Sequence, residues 1–92
     1  MRLVKFDKFL GNSLRNQRLF KKIKQEDMAF LISKKRKENG YKKGVSKSAY
    51  SYYESGERSM PEDVYSYACC ILGINEDALF NEALDCVKRK VK

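Results

Sequence analysis

From Gly44 to Arg58 the chain carries the punctuation of one short helix, with a marked start and a marked stop. Ser46 is placed to cap it, because a serine hydroxyl there accepts a bond from an unpaired amide of the first turn. Gly56 stands where a left-handed residue closes the last turn. Between them, Ala49, Tyr50 and Tyr53 fall on one side at helical spacing, while Lys47, Ser48, Ser51, Tyr52 and Ser55 fall mostly on the other. That outer face is small, polar and singly basic, with no bulky aliphatic. Such a face fits against base edges in a major groove. An ordinary surface helix has the same pattern, so the rest of the chain has to separate the two.

Charge is the first discriminator. The net charge of +8 is unevenly spread. From Lys34 to Lys47 there are seven basic residues (Lys34, Lys35, Arg36, Lys37, Lys42, Lys43, Lys47) against one acid, Glu38. From Glu57 to Asp85 there are seven acids against one base, Arg58. A basic side next to a small-residue helix is the electrostatic footprint of a nucleic-acid binder. The alternative is a solvated basic loop that only aids solubility.

Other chemistries are disfavoured. The 92 residues make one domain with a modest core, too short for a second domain. There is no histidine, so the usual general base is missing and no serine has an evident base-and-orienter partner. Three cysteines, with Cys69 and Cys70 adjacent and Cys86 alone, suit reduced thiols and lack zinc-site spacing. No enzyme activity, metal, cofactor or small-molecule ligand is expected. No apolar run approaches the roughly 20 residues of a membrane span, and Met1–Lys5 lacks the apolar core of a signal peptide. The expected address is cytoplasmic.

With a single proline and few strand-favouring segments, the pattern is all-α. Helix 1 is expected from about Asp7 to Lys22 after a loose lead-in, with Leu10, Leu14 and Leu19 inward and Phe6 or Phe20 at the edge. Arg18 lies one turn beyond Leu14, near the core, where a charge needs a partner. Helix 2 begins near Lys24-Gln25, with Met28, Ala29 and Ile32 inward and Phe30 and Leu31 outward. Helix 4 starts at Pro61, carries an apolar stripe of Val64, Tyr65, Ala68, Cys69 and Leu72, and ends at Gly73. Ile74 plugs the core at the turn. Asn75 caps helix 5, where Leu79 and Phe80 close the core. Ala83, Leu84, Val87 and Val91 then continue an amphipathic stripe with a basic end.

Together these residues resemble the lambda-repressor-like helix-turn-helix family, of the Cro or XRE type. Leu10-Gly11, Leu14-Arg15 and Arg18 match its first helix, and Ile23 to Ala29 its second. Gly44 to Arg58 matches its recognition helix and exit, and Leu72 to Asn75 with Leu79-Phe80 the last two helices. The likeness spans residues 9–80 and implies a compact five-helix domain. It implies that Lys47, Ser48, Ala49, Ser51 and Tyr52 read bases, and that Lys24, Gln25, Ser55 and Arg58 hold phosphates. It also implies that Arg18 and Glu54 form a structural ion pair between helices 1 and 3. Tyr50 and Tyr53 fall on buried positions that the family usually fills with aliphatics, and their hydroxyls need partners or solvent.

The chain departs from the family within the helix-turn-helix itself. Ser33 to Lys43, eleven residues, stand between Ile32 and Gly44, where the family has a tight turn. This basic insertion, 33–43, leaves the angle between helices 2 and 3 unfixed. Its cations, Lys34, Lys35, Arg36, Lys37, Lys42 and Lys43, are expected on phosphates. Either helix 2 is about two turns longer, or the insertion is a mobile arm. The helix is favoured, because Asn39-Gly40 is a good stop and Ser33 to Glu38 holds no breaker. The functional expectation is a sequence-specific regulator of double-stranded DNA, a small Cro-like repressor inserting residues 46–55 in the major groove. Family members commonly act as homodimers on two half-sites. The candidate dimer surface is the C-terminal extension, 81–92, with Phe30, Leu31 or Ile71; the same stripe could instead fold back on helix 2. A protein-interaction module of anti-repressor or antitoxin type is the alternative, and RNA binding through the insertion and tyrosines ranks below both.

Overall fold

A computed structural model of the chain describes residues 4–89. The expected all-α class is what it has: among the described residues there are five helices and no strand. They are α1 (Val4–Phe20), α2 (Gln25–Glu38), α3 (Lys47–Ser55), α4 (Glu62–Leu72) and α5 (Glu76–Arg89). The lead-in Met1–Leu3 and the residues Lys90, Val91 and Lys92 lie outside the described residues.

The core takes side chains from every helix. Leu10 and Leu14 of α1, Met28, Ala29 and Ile32 of α2, and the α4 stripe from Val64 to Leu72 are all buried, as their spacing requires. Tyr50 is fully buried, and Leu79 and Ala83 complete the set from α5. α1 packs on α3, α4 and α5, while α2 packs on α3 and α4. Gly11 permits the α1–α3 approach: a Cβ there would collide with the backbone carbonyl oxygens of Glu54 and Tyr53. Among the described residues no helix is long and apolar enough to cross a membrane. The three cysteines are free thiols.

Helix ends follow one device. Ser46 Oγ accepts from the Ala49 amide at 3.1 Å, capping α3, and Asn75 Oδ1 accepts from the Ala78 amide at 2.9 Å at the start of α5. Gly56 and Gly73 adopt left-handed φ values of 78° and 70° and close α3 and α4. At the end of α1 the left-handed residue is Lys22, with φ 58°, and the Ile23 amide donates back to the Arg18 carbonyl at 3.0 Å.

Five expectations need correction. α1 starts at Val4 and ends at Phe20, about one turn earlier at its start and two residues earlier at its end. Leu19 is exposed, because the inward row 10, 14, 18 places residue 19 about 100° off the stripe. Phe20 is exposed too. Phe80 does not close the core; it is 43% exposed and meets Phe6 edge to face, with ring centroids 5.1 Å apart. Pro61 is the residue before α4 rather than its first residue.

The insertion divides in two. Ser33 to Glu38 extends α2, and Asn39 to Lys43 forms the returning loop. Asn39 ends the helix, Gly40 adopts φ 87°, and the Tyr41 amide donates to the Arg36 carbonyl at 2.9 Å. The excursion leaves the core at Ser33 and returns to it at Val45, and one side chain joins the two points. Ser33 Oγ donates to the Val45 carbonyl at 3.1 Å and accepts from the Val45 amide at 2.8 Å. Val45 is buried beside this clamp. Gly44 runs so close that a Cβ would sit 2.6 Å from Ser33 Oγ. The angle between α2 and α3 is therefore set by a serine clamp at the neck of the excursion, although the tight turn is absent. Among the described residues α5 packs on α1 and α4 and not on α2, so the stripe from Ala83 to Val87 does not fold back on α2; Ala83 is inside the core, Leu84 and Val87 are half-buried, and Val91 lies outside the described residues.

Candidate nucleic-acid interface

α3 is held from below by a charged hub. Arg18 Nε donates to Glu54 Oε2 at 2.7 Å and its Nη2 to Glu54 Oε1 at 3.1 Å. Arg18 Nη1 donates to the Ile23 carbonyl at 2.7 Å. Gln25 Nε2 adds a bond to Glu54 Oε1 at 3.1 Å. One carboxylate thus gathers α1, the start of α2 and α3. The side chains of Arg18 and Glu54 are 7% and 2% exposed, so their charges are paired out of water. The pairing expected for Arg18 and Glu54 is present.

On the other side of α3, Lys47, Ser48, Tyr52 and Ser55 are exposed, while Ser51 and Ala49 are half-buried. Arg58 lies over the Tyr52 ring, 4.5 Å from its centroid, a cation–π contact that holds both against the helix exit. The Ser55 hydroxyl donates to the Tyr52 carbonyl at 3.1 Å, so it finishes the helix end.

Two shallow clefts border this face and share Arg15 and Gln25. The first runs along Lys8, Asn12 and Arg15 of α1 to Ser51 and Ser55 of α3. The second joins Arg15 to Lys24, Glu26 and Lys47. Lys8, Arg15, Lys24 and Lys47 form no ion pair with another described residue and surround the α3 face from three elements. Lys8, Asn12 and Arg15 were not expected as site residues. Their signal was spacing: positions 8, 12 and 15 make one face of α1, off the inward row of Leu10 and Leu14.

Two other expected phosphate contacts, Gln25 and Arg36, are engaged elsewhere. Gln25 is occupied by Glu54. Arg36 forms a bidentate pair with Asp63, at 2.7 and 3.0 Å, tying the α2 extension to the start of α4. The Arg36 hydrogen bonds hold the Asp63 carboxyl below its ordinary value of 3.8 against the opposing effect of burial. Lys34, Lys37, Lys42 and Lys43 gather around a separate groove with Phe30 and Tyr41, and Lys35 is half-buried.

The Tyr50 hydroxyl is buried with no partner at hydrogen-bonding geometry. Burial first, and the neighbouring Glu54 charge second, raise its pKa far above the ordinary phenol value. The side chain stays neutral and packs as a large apolar group.

The interface therefore consists of an exposed small-residue helix face, four cations that form no ion pair among the described residues, and a rigid hub beneath them. Comparison of the chain with protein-family models, with curated proteins and with solved structures finds no match.

Proposed function

We propose that the chain is a cytoplasmic, sequence-specific double-stranded DNA-binding regulator whose α3 enters the major groove. The observation that carries this reading is the outer face of α3, exposed and small, ringed by Lys8, Arg15, Lys24 and Lys47 from three elements. Lys47 and Ser48 open the helix and suit donors to base edges, with Lys47 favouring guanine acceptors. Lys8, Arg15 and Lys24 suit phosphate oxygens on either side and fix register without reading sequence. The buried Arg18–Glu54–Gln25 hub supports the reading, because a reading helix must be held rigidly to discriminate. The resemblance to lambda-repressor-like domains points the same way.

Selection of bound duplexes from a random pool tests it. The expected result is one enriched motif. Lys47→Ala should relax preference at specific positions, whereas Arg15→Ala should weaken binding to all duplexes and reduce the salt slope by about 1. The reading fails if no duplex is enriched, or if neither replacement changes duplex binding. The second reading, a protein-docking module, is favoured by Phe30, which is 68% exposed on α2.

A further inference from the structure

Two grooves lie outside the α3 interface, and they are opposite in charge. The first lies between α2 and the returning loop. Phe30 and Tyr41 supply its apolar surface, and Lys34, Lys37, Lys42 and Lys43 its rim; among the described residues no acid lines it. Its wall is built, because the Arg36 guanidinium lies 5.3 Å from the Tyr41 ring centroid and the Tyr41 amide is bonded to the Arg36 carbonyl. The second lies among α1, α4 and α5. Phe6, Met60 and Phe80 give its apolar surface, Glu62, Glu76 and Asp77 stand on its rim, and among the described residues no base lines it. The grooves share no residue.

We infer that the two grooves dock on each other between copies of this chain, head to tail, with the Lys-rimmed groove of one copy on the acid-rimmed groove of the next. Each has an aromatic surface with a rim of one sign, and the signs are complementary. A two-fold contact of either groove with its own copy would set like charges against each other. A phosphate backbone would satisfy the lysine rim but leave the acidic groove unmatched. The second copy is the occupant that satisfies both. A head-to-tail contact does not close at two copies: it forms a ring or an open row. The paired rims make it salt-sensitive, and its small size makes it a weak contact that forms at high local concentration. It goes beyond the DNA reading and does not depend on it.

Sedimentation of the full chain without DNA tests it, using the wild type and two charge-reversed variants. Lys34→Glu/Lys37→Glu keeps the acidic groove, and Glu62→Lys/Asp77→Lys keeps the basic one; each variant changes two of the four positions and leaves the other two intact. The wild type at low salt should grow in mass with concentration past two copies and fall back to monomer at high salt. Each variant alone should stay monomeric. Their equimolar mixture should associate again, because the intact acid-rimmed groove of one variant meets the intact Lys-rimmed groove of the other. The inference is overturned if the wild type stays monomeric or stops at two copies, if either variant associates as the wild type does, or if the mixture stays monomeric. Circular dichroism confirms folding of both variants. Should either fail to fold, Phe30→Ser and Phe80→Ser, which alter no charge, take their place: each should lose association alone and form only a dimer when mixed, and wild-type association in either one overturns the inference.

Discussion

The molecule contains two arginine–carboxylate pairs of nearly equal geometry and unequal standing. Arg18–Glu54 and Arg36–Asp63 both close at 2.7 Å, and both arginines engage both carboxylate oxygens. The first is almost wholly buried, while the side chains of the second are 15% and 18% exposed. The first collects Gln25 and the Ile23 carbonyl and joins three segments. The second joins α2 to α4. Burial and the number of attached groups separate them, since the pair distance is the same. A buried charge deprived of its partner has no water to replace it, whereas a partly wetted one does.

The largest expected effect follows from the hub. Glu54→Ala leaves the Arg18 charge and the Gln25 amide without their acceptor, and should cost about 3–5 kcal/mol in urea unfolding. Arg18→Met combined with Glu54→Leu removes both charges and should recover most of that loss. If the single replacement costs under about 1 kcal/mol, the two pairs do not differ in kind.

The outer pair should be worth less, about 1–2 kcal/mol for Asp63→Asn, between the exposed and buried limits. It should also carry a pH signature. The Asp63 pKa is lower folded than unfolded, so its contribution is present above the unfolded pKa and is lost as pH falls through the folded value. Wild type and Asp63→Asn should therefore differ at neutral pH and converge in acid. A gap that persists in acid would assign the loss to packing.

These pairs also show what the sequence made legible. Arg18 stands one turn beyond Leu14 on the inward row, and an inward charge demands a partner; that Glu54 is this partner came from the resemblance and not from spacing. Arg36 sits in the basic run Lys34–Lys37, where a solvated or phosphate-facing role explained it, and Asp63 sits in a first helical turn, where the dipole explained it. Each had a sufficient local reason, so nothing local pointed to their pairing. The caps at Ser46, Gly56, Gly73 and Asn75 were legible because each is a local rule. The places of Phe80 and of the Lys8–Asn12–Arg15 face were not, because both depend on how α1 lies against α5 and α3.

The next prediction asks whether the outer pair or the serine clamp anchors the insertion. Ser33→Ala removes both bonds to Val45 and should cost about 1 kcal/mol. Its effect on hydrogen exchange should concentrate at Val45 and the first turn of α3, whereas Asp63→Asn should loosen the end of α2. If both changes loosen the same amides, the excursion has one anchor rather than two.

The smallest effect probes the hub again. Tyr50→Phe deletes a buried hydroxyl that has no hydrogen-bond partner beside the Glu54 carboxylate. Removing an unsatisfied buried polar group without changing shape should leave stability unchanged or raise it by up to about 1 kcal/mol. A loss of similar size would mean that the hydroxyl donates to Glu54 in solution. The carboxylate would then hold a further donor beyond Arg18 and Gln25. The hub would be more strongly satisfied, and the contrast with Arg36–Asp63 wider, than the distances alone indicate. The same urea titrations distinguish the outcomes, because a conservative replacement at a fully buried ring should change the midpoint and leave the slope unaltered.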